Sequence, residues 1–231
     1  MAIKRKQVRK RSEETLIDLA EKRTQVKSFY EENQKIIIGV IAALVLLIGG
    51  WLVYTNLIQQ PKEEKAMAQM WMAQNQFEQD SFQVALENPG GGYSGFLQII
   101  KEYGGTKAGN LANYYAGVSY LNLGNFDAAL SFLSDFNPDG LLGPVMKHGA
   151  LGDVYSELNQ MDKAMDHYKK AAAASDNELL TPYYLKKLAL LHEMQNEGDK
   201  ALAIFKDIKS KYPNSNEALS IDKYIARAEA R

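Results

Sequence analysis

The chain has no cysteine. That excludes a disulfide framework and a thiol nucleophile, and leaves the compartment open. Proline is scarce, six in 231 residues, while Ala, Leu and Lys are plentiful, which predicts a mostly helical chain. There are three histidines, His148, His167 and His192, spaced 19 and 25 residues apart. None has a carboxylate, a cysteine or a second histidine at metal-ligand spacing, so packing roles are expected. No Gly-x-Ser-x-Gly elbow is present. The glycine-rich stretch PGGGYSG, 89–95, lacks the Lys-Ser/Thr of a phosphate-binding loop and reads as a turn. Carboxylates are scattered over helix surfaces, and no acid–base pair stands out. No enzyme activity, cofactor or metal is expected.

Charge of either sign is missing from one place altogether. Residues 36–54, IIIGVIAALVLLIGGWLVY, hold none, whereas residues 1–35 carry a net +4 and residues 55–231 a net −5. Nineteen helical residues span roughly 28 Å, about the thickness of a bilayer's hydrocarbon core. Trp51 and Tyr54 fall near one end, where aromatic rings prefer the interface. A cleaved signal peptide fits poorly, because the basic region is too long and the apolar run longer than such a core needs. An Ala-x-Ala at 66–68 lies inside a helical pattern. The run KRKQVRKR, 4–11, carries six positive charges, and the positive-inside rule keeps such a segment in the cytoplasm. Beside a membrane span, topology explains that run better than nucleic-acid binding. Leu16, Leu19, Ala20, Val26 and Tyr30 lie close to helical spacing and suggest a short amphipathic helix. The expectation is an inner-membrane protein with its N-terminus cytoplasmic and its C-terminal part periplasmic.

Beyond the span a pattern recurs. Ala116-Gly117-x-x-Tyr120 is followed by Gly124, Phe126 and Ala129; Leu151-Gly152-x-x-Tyr155 by Asn159, Met161 and Ala164; Leu188-Ala189-x-x-His192 by Asp199, Ala201 and Phe205. Gly117 and Gly152 are 35 residues apart, Ala129 and Ala164 are 35 apart, and Ala164 and Ala201 are 37 apart. A period near 34, with L-G-x-x-Y, then A-x-x-x-F, then Pro, resembles the tetratricopeptide repeat. The resemblance implies a right-handed tetratricopeptide-type α-solenoid with a C-terminal capping helix, so with the N-terminal transmembrane helix read above the expected fold is all-α. Each unit is two antiparallel helices that cannot bury their apolar faces alone, so several must stack. The expected division is a basic tail, 1–35; the span, 36–54; a degenerate first helix pair, 62–106; three repeats, 107–213; and a cap, 214–231. The first pair is expected as one long helix, 62–86, followed by YSGFLQIIKEYGG, with Gly95 lying 34 residues before Ala129. Met67, Met70 and Met72 read as a core stripe rather than a client-binding patch. Thr181-Pro182 is expected to open a helix, and Asn214 with Glu217 to form a capping box.

The layout as a whole resembles the single-span ancillary subunit of the SecYEG translocon in a Bacteroidetes-like version, best over FLQIIKEYGGTKAGNLANYYAGVSYLNLGNFDAAL, 96–130. The tail is longer than is usual there, and the absent lipoprotein cysteine argues against outer-membrane assembly lipoproteins. The resemblance implies a membrane-anchored periplasmic module that binds other proteins within the translocation and chaperone network. Its partners would be translocon subunits, periplasmic chaperones or emerging chains. A structural scaffold for an envelope or cell-division complex is the alternative. By the repeat's geometry, first helices line the binding groove, which points to Tyr114, Val118, Asn122, Asp153, Ser156, Tyr183 and Lys186.

Overall fold

The computed structural model describes the backbone of residues 2–230 and the side chains of residues 27 and 29–230. Among these residues the fold is all helix, with no strand. It divides into two compact units, Met1–Gln60 and Pro61–Arg231.

The first unit is helix α1, Ala2–Tyr54, and a π-helical turn, Thr55–Gln59. Ile38, Leu44, Leu46, Leu47 and Trp51 are all exposed, and no part of the apolar window is buried. A run apolar on every face has the pattern of a membrane span. It is long and apolar enough to cross one. Polar side chains close the run by bonding back onto the helix: Thr55 Oγ1 and Asn56 Nδ2 both donate to the Leu52 carbonyl, at 3.1 and 2.8 Å. Residues 4–11 and the stripe of Leu16, Leu19, Ala20 and Val26 lie outside the described side chains.

The second unit stacks hairpins: α2 (Gln60–Glu78) with α3 (Phe82–Glu87) and α4 (Phe96–Tyr103), α5 (Lys107–Asn122) with α6 (Phe126–Asp135), α7 (Gly143–Glu157) with α8 (Met161–Ala174), and α9 (Leu180–Met194) with α10 (Gly198–Lys211). All four first helices end in the same way. Ser81, Asn125, Gln160 and Glu197 each donate a backbone N–H, at 2.9 Å, to the carbonyl five residues earlier. The residue before each donor is left-handed: Asp80, Gly124, Asn159 and Asn196, with φ of 56, 74, 57 and 59°. This is the Schellman end, and Gly, Asn and Asp carry it at least cost. Four residues after each donor stands an alanine with no exposed surface: Ala85, Ala129, Ala164 and Ala201. A methyl there lets the second helix lie close against the first.

The expected single helix over 62–86 is therefore two helices. The Schellman turn at Asp80 ends α2 and reverses the chain. Ala85, rather than Gly95, holds the place that Ala129 holds in the next unit. An inserted turn rich in left-handed glycines, Gly90 to Gly92, splits the second helix into α3 and α4. The methionines split as well: Met70 is fully buried while Met67 is exposed.

Each layer fills the gap to the next. Met70, Leu86, Phe96 and Ile99 share the first core, where the Phe77 ring meets those of Phe82, Phe96 and Tyr115. Leu133, Leu151 and Val154 fill the second, and Phe205, Ile208 and Ile221 the last. Each such side chain fully buried stabilises by about 1.5–3 kcal/mol before chain entropy is counted. Glycine is needed where helices approach most closely: a Cβ on Gly152 would lie 2.5 Å from the Tyr168 ring.

The last helix, α11 (Ile221–Glu229), covers the open end with Ile221. It begins later than the 214–217 box suggests, because Ser215 Oγ rather than Asn214 takes the Ala218 N–H, at 3.2 Å, and a 3-10 turn, Ala218–Ser220, follows. Helix α9 likewise opens before Thr181. Asn177 Oδ1 takes the N–H groups of Leu179 and Leu180, at 3.0 and 2.7 Å, so Thr181 falls inside the helix.

Candidate protein-binding groove

The first helices α5, α7 and α9 line one side of the stack, and a polar constellation joins them. Asp153 on α7 sits at its centre. Its Oδ1 takes the Lys187 ammonium of α9 at 2.6 Å and the Tyr168 hydroxyl of α8 at 2.7 Å. The Lys187 ammonium also lies over two rings, 5.5 Å from the centre of Tyr168 and 5.0 Å from that of Tyr183. Tyr183 and Tyr184 meet edge to face at 5.0 Å. Glycine again makes the room: a Cβ on Gly149 would fall 2.0 Å from the Tyr184 hydroxyl oxygen. Beside Asp153 opens a hollow of about 630 Å³, lined by Asn122, Phe126, Ser156, Glu157, Tyr168 and Lys187 among others.

The electrostatics follow from this crowding. Burial, then Tyr115 and the Asp153 charge, push the Tyr114 phenol up to about 12. Burial and the same carboxylate push Tyr168 and Tyr184 upward too. Burial pulls the Lys187 ammonium down, but the Asp153 carboxylate and Tyr183 more than offset it, so the net shift is upward and the charge persists. The constellation is thus a fixed ion pair walled by neutral tyrosines. Such a surface takes hydrogen bonds, peptide backbone and apolar side chains together, as Tyr-rich binding surfaces do.

The structure brings Asn122, Asp153 and Ser156 into that one hollow. Tyr183 joins it through Lys187. Tyr114 is half-buried and packs against Tyr115 and Phe136, at 5.8 and 5.5 Å between ring centres. Val118 is half-buried against the core of Ala129 and Leu133. The Lys186 ammonium lies 5.1 Å over the Tyr224 ring of α11. Sequence reasoning missed Lys187, Tyr168 and Tyr184. One residue along a helix is a 100° turn, and that rotation gives Asp153 to Lys187 rather than to its neighbour.

Two further polar pairs lie outside the hollow. The buried Glu193 carboxylate takes both Nε, at 3.0 Å, and a terminal nitrogen of Arg227 from α11. His148 and His167, 19 residues apart in sequence and expected to have packing roles, meet with Nδ1 atoms 3.2 Å apart. Burial, together with Lys170 and Lys147, holds His148 below its ordinary value; burial, His148 and Lys170 do the same for His167. Among the described residues, no three metal-ligating side chains come together.

Tetratricopeptide repeat family models match residues 148–178 and 187–215. The chain carries tetratricopeptide repeats. A solved structure of a thermophilic TPR protein from Thermus thermophilus is similar at 23% identity, with a TM-score of 0.50, covering 86% of this chain and 95% of that one. At that identity the likeness speaks for the fold. No curated protein matches the chain. These repeats form a module for protein–protein interaction, typically without catalysis, so other proteins are the class of partner they indicate.

Proposed function

We propose that the protein is a membrane-anchored periplasmic adaptor, an accessory component of the translocation and chaperone network of the cell envelope. In this reading 1–35 is a cytoplasmic tail and 36–54 spans the inner membrane. Residues 62–106 form a first helix pair, 107–213 three repeats and 214–231 a cap. The groove takes extended or helical segments of translocon subunits, periplasmic chaperones or emerging chains, with Tyr114, Val118, Asn122, Asp153, Ser156, Tyr183 and Lys186 along it and Lys187 added. No catalysis and no nucleic acid enter this role.

The observation that carries it is the hollow beside the Asp153–Lys187 pair, which brings the polar side chains of Asn122, Ser156 and Glu157 together with the rings of Phe126 and Tyr168. It belongs to a chain whose N-terminal helix suits a bilayer. Tethering confines the groove to a thin layer at the membrane and raises its effective concentration toward anything emerging there. A photo-crosslinking residue at Tyr183, whose side chain is exposed, tests the reading in intact membranes. Translocon subunits, chaperones or translocating chains are the expected captures. Division or peptidoglycan proteins in their place would install the scaffold reading instead.

A further inference from the structure

We propose that His148 and His167 form a chelating site for one divalent late transition-metal ion, Zn²⁺ or Cu²⁺, that clasps α7 to α8. The geometry carries the inference. The two Nδ1 atoms are 3.2 Å apart, and the rings are tilted by 52° with centres 5.2 Å apart, so they converge rather than stack. An imidazole nitrogen binds zinc at about 2.0–2.1 Å, and two such bonds at a tetrahedral angle set their nitrogens about 3.3–3.4 Å apart. At the right angle of a tetragonal copper site the spacing is about 2.9 Å. The observed separation lies between the two, so the spacing suits either ion.

Without metal the pair shares one N–H···N hydrogen bond. One ring then carries its proton on Nδ1 and the other on Nε2. Metal entry moves the first ring's proton to Nε2, so both Nδ1 lone pairs face the ion and no net proton is released. Each Nε2 then carries its ring's proton.

The surroundings leave the site open. Tyr155 backs His167 with ring centres 5.2 Å apart. Lys147 turns its ammonium to the carbonyls of Ser134 and Phe136, at 2.8 and 2.5 Å. Lys170 is held by Asp166 at 2.6 Å. Both rings are half-buried, so water completes the coordination. Two protein ligands make a clasp between helices, and imidazole selects late transition metals over Mg²⁺ and Ca²⁺, which prefer oxygen. An ion that binds only the folded hairpin stabilises it by mass action. That hairpin is the one that presents Asp153 and Ser156.

The test uses the untagged full-length chain in detergent, stripped with chelator. ZnCl₂ is titrated by calorimetry while thermal unfolding is followed in parallel. One saturable site and a Zn²⁺-dependent rise in Tm are expected, with no response to Mg²⁺. His148→Gln and His167→Gln should each weaken binding at least about tenfold. His192→Gln, whose imidazole pairs with Glu197 instead, should leave it unchanged. Cu²⁺ electron paramagnetic resonance on the unmodified protein should show two coordinating nitrogens, which keeps the test independent of whether the variants fold. Equal affinity in the double variant, no Tm rise with Zn²⁺, or a one-nitrogen copper spectrum would overturn the site.

Discussion

One carboxylate oxygen of Asp153 holds both Lys187 and Tyr168, so a single atom on α7 ties down side chains from α9 and α8. The ion pair is about a third exposed on each side, 28% for Lys187 and 32% for Asp153, so its electrostatic contribution is modest. A double-mutant cycle with Asp153→Asn and Lys187→Met should give a coupling of about 0.5–1 kcal/mol that shrinks in high salt. Thermal unfolding of the four proteins at two ionic strengths measures it. If the groove binds protein as proposed, the same variants weaken crosslinking from Tyr183 far more than they lower stability.

Glycine positions divide by what surrounds them. A Cβ on Gly152 meets the buried Tyr168 ring, whereas one on Gly198 meets nothing within 4 Å. Gly152→Ala should therefore cost about 1–3 kcal/mol through overpacking. Gly198→Ala, at the start of α10, should be neutral or stabilising by up to about 1 kcal/mol through backbone entropy. Circular-dichroism melting curves of the two variants distinguish these outcomes.

The capping helix depends on a buried charge. Removing the guanidinium with Arg227→Ala leaves the Glu193 carboxylate in place without its cation, at a cost of about 1–3 kcal/mol. The loss should be local. Hydrogen exchange is expected to accelerate over α10 and α11 while α5 keeps its protection, since repeat stacks lose stability unit by unit. Uniform acceleration along the stack would contradict this account.

Alkaline pH should unfold the stack through its tyrosines. Tyr114 is raised to about 12, and Tyr168 and Tyr184 are raised as well, so the folded state keeps protons that the unfolded state releases near pH 10. The folded state then binds more protons above that pH, and stability falls as pH rises. It is fully present below about pH 10. Absorbance at the tyrosinate band, followed with helicity, should show late-titrating tyrosines ionising together with unfolding. Tyr114→Phe removes one of them and should flatten the decline.

The absence of cysteine makes the proposed topology directly testable. Leu219→Cys adds one thiol at a highly exposed position, and Ser12→Cys adds one in the tail. In spheroplasts a membrane-impermeant maleimide should label the first at once and the second only after permeabilisation. The reverse pattern would place the repeats in the cytoplasm.

Local pattern carried the fold class. An apolar run without charge at 36–54 and alanines at 129, 164 and 201 are each a one-dimensional consequence of which face a helix must hide, and that is legible from spacing. The same logic slipped where the chain departs from its period. The glycine turn inserted after α3 pushed Ala85 to 44 residues before Ala129 and hid the fourth identical hairpin turn, at Asp80. An insertion leaves the packing unchanged while breaking the spacing that reveals it.

The sequence by itself determined that this protein would be stacked helical hairpins behind one helix fit for a bilayer. Only the tertiary structure decided that His148 meets His167, that Glu193 is answered by Arg227, and that Lys187 rather than Lys186 reaches Asp153. Burial periodicity is written along each helix. Which side chains touch depends on the rotation and register of one helix against another, and that is fixed only when the cores between them close.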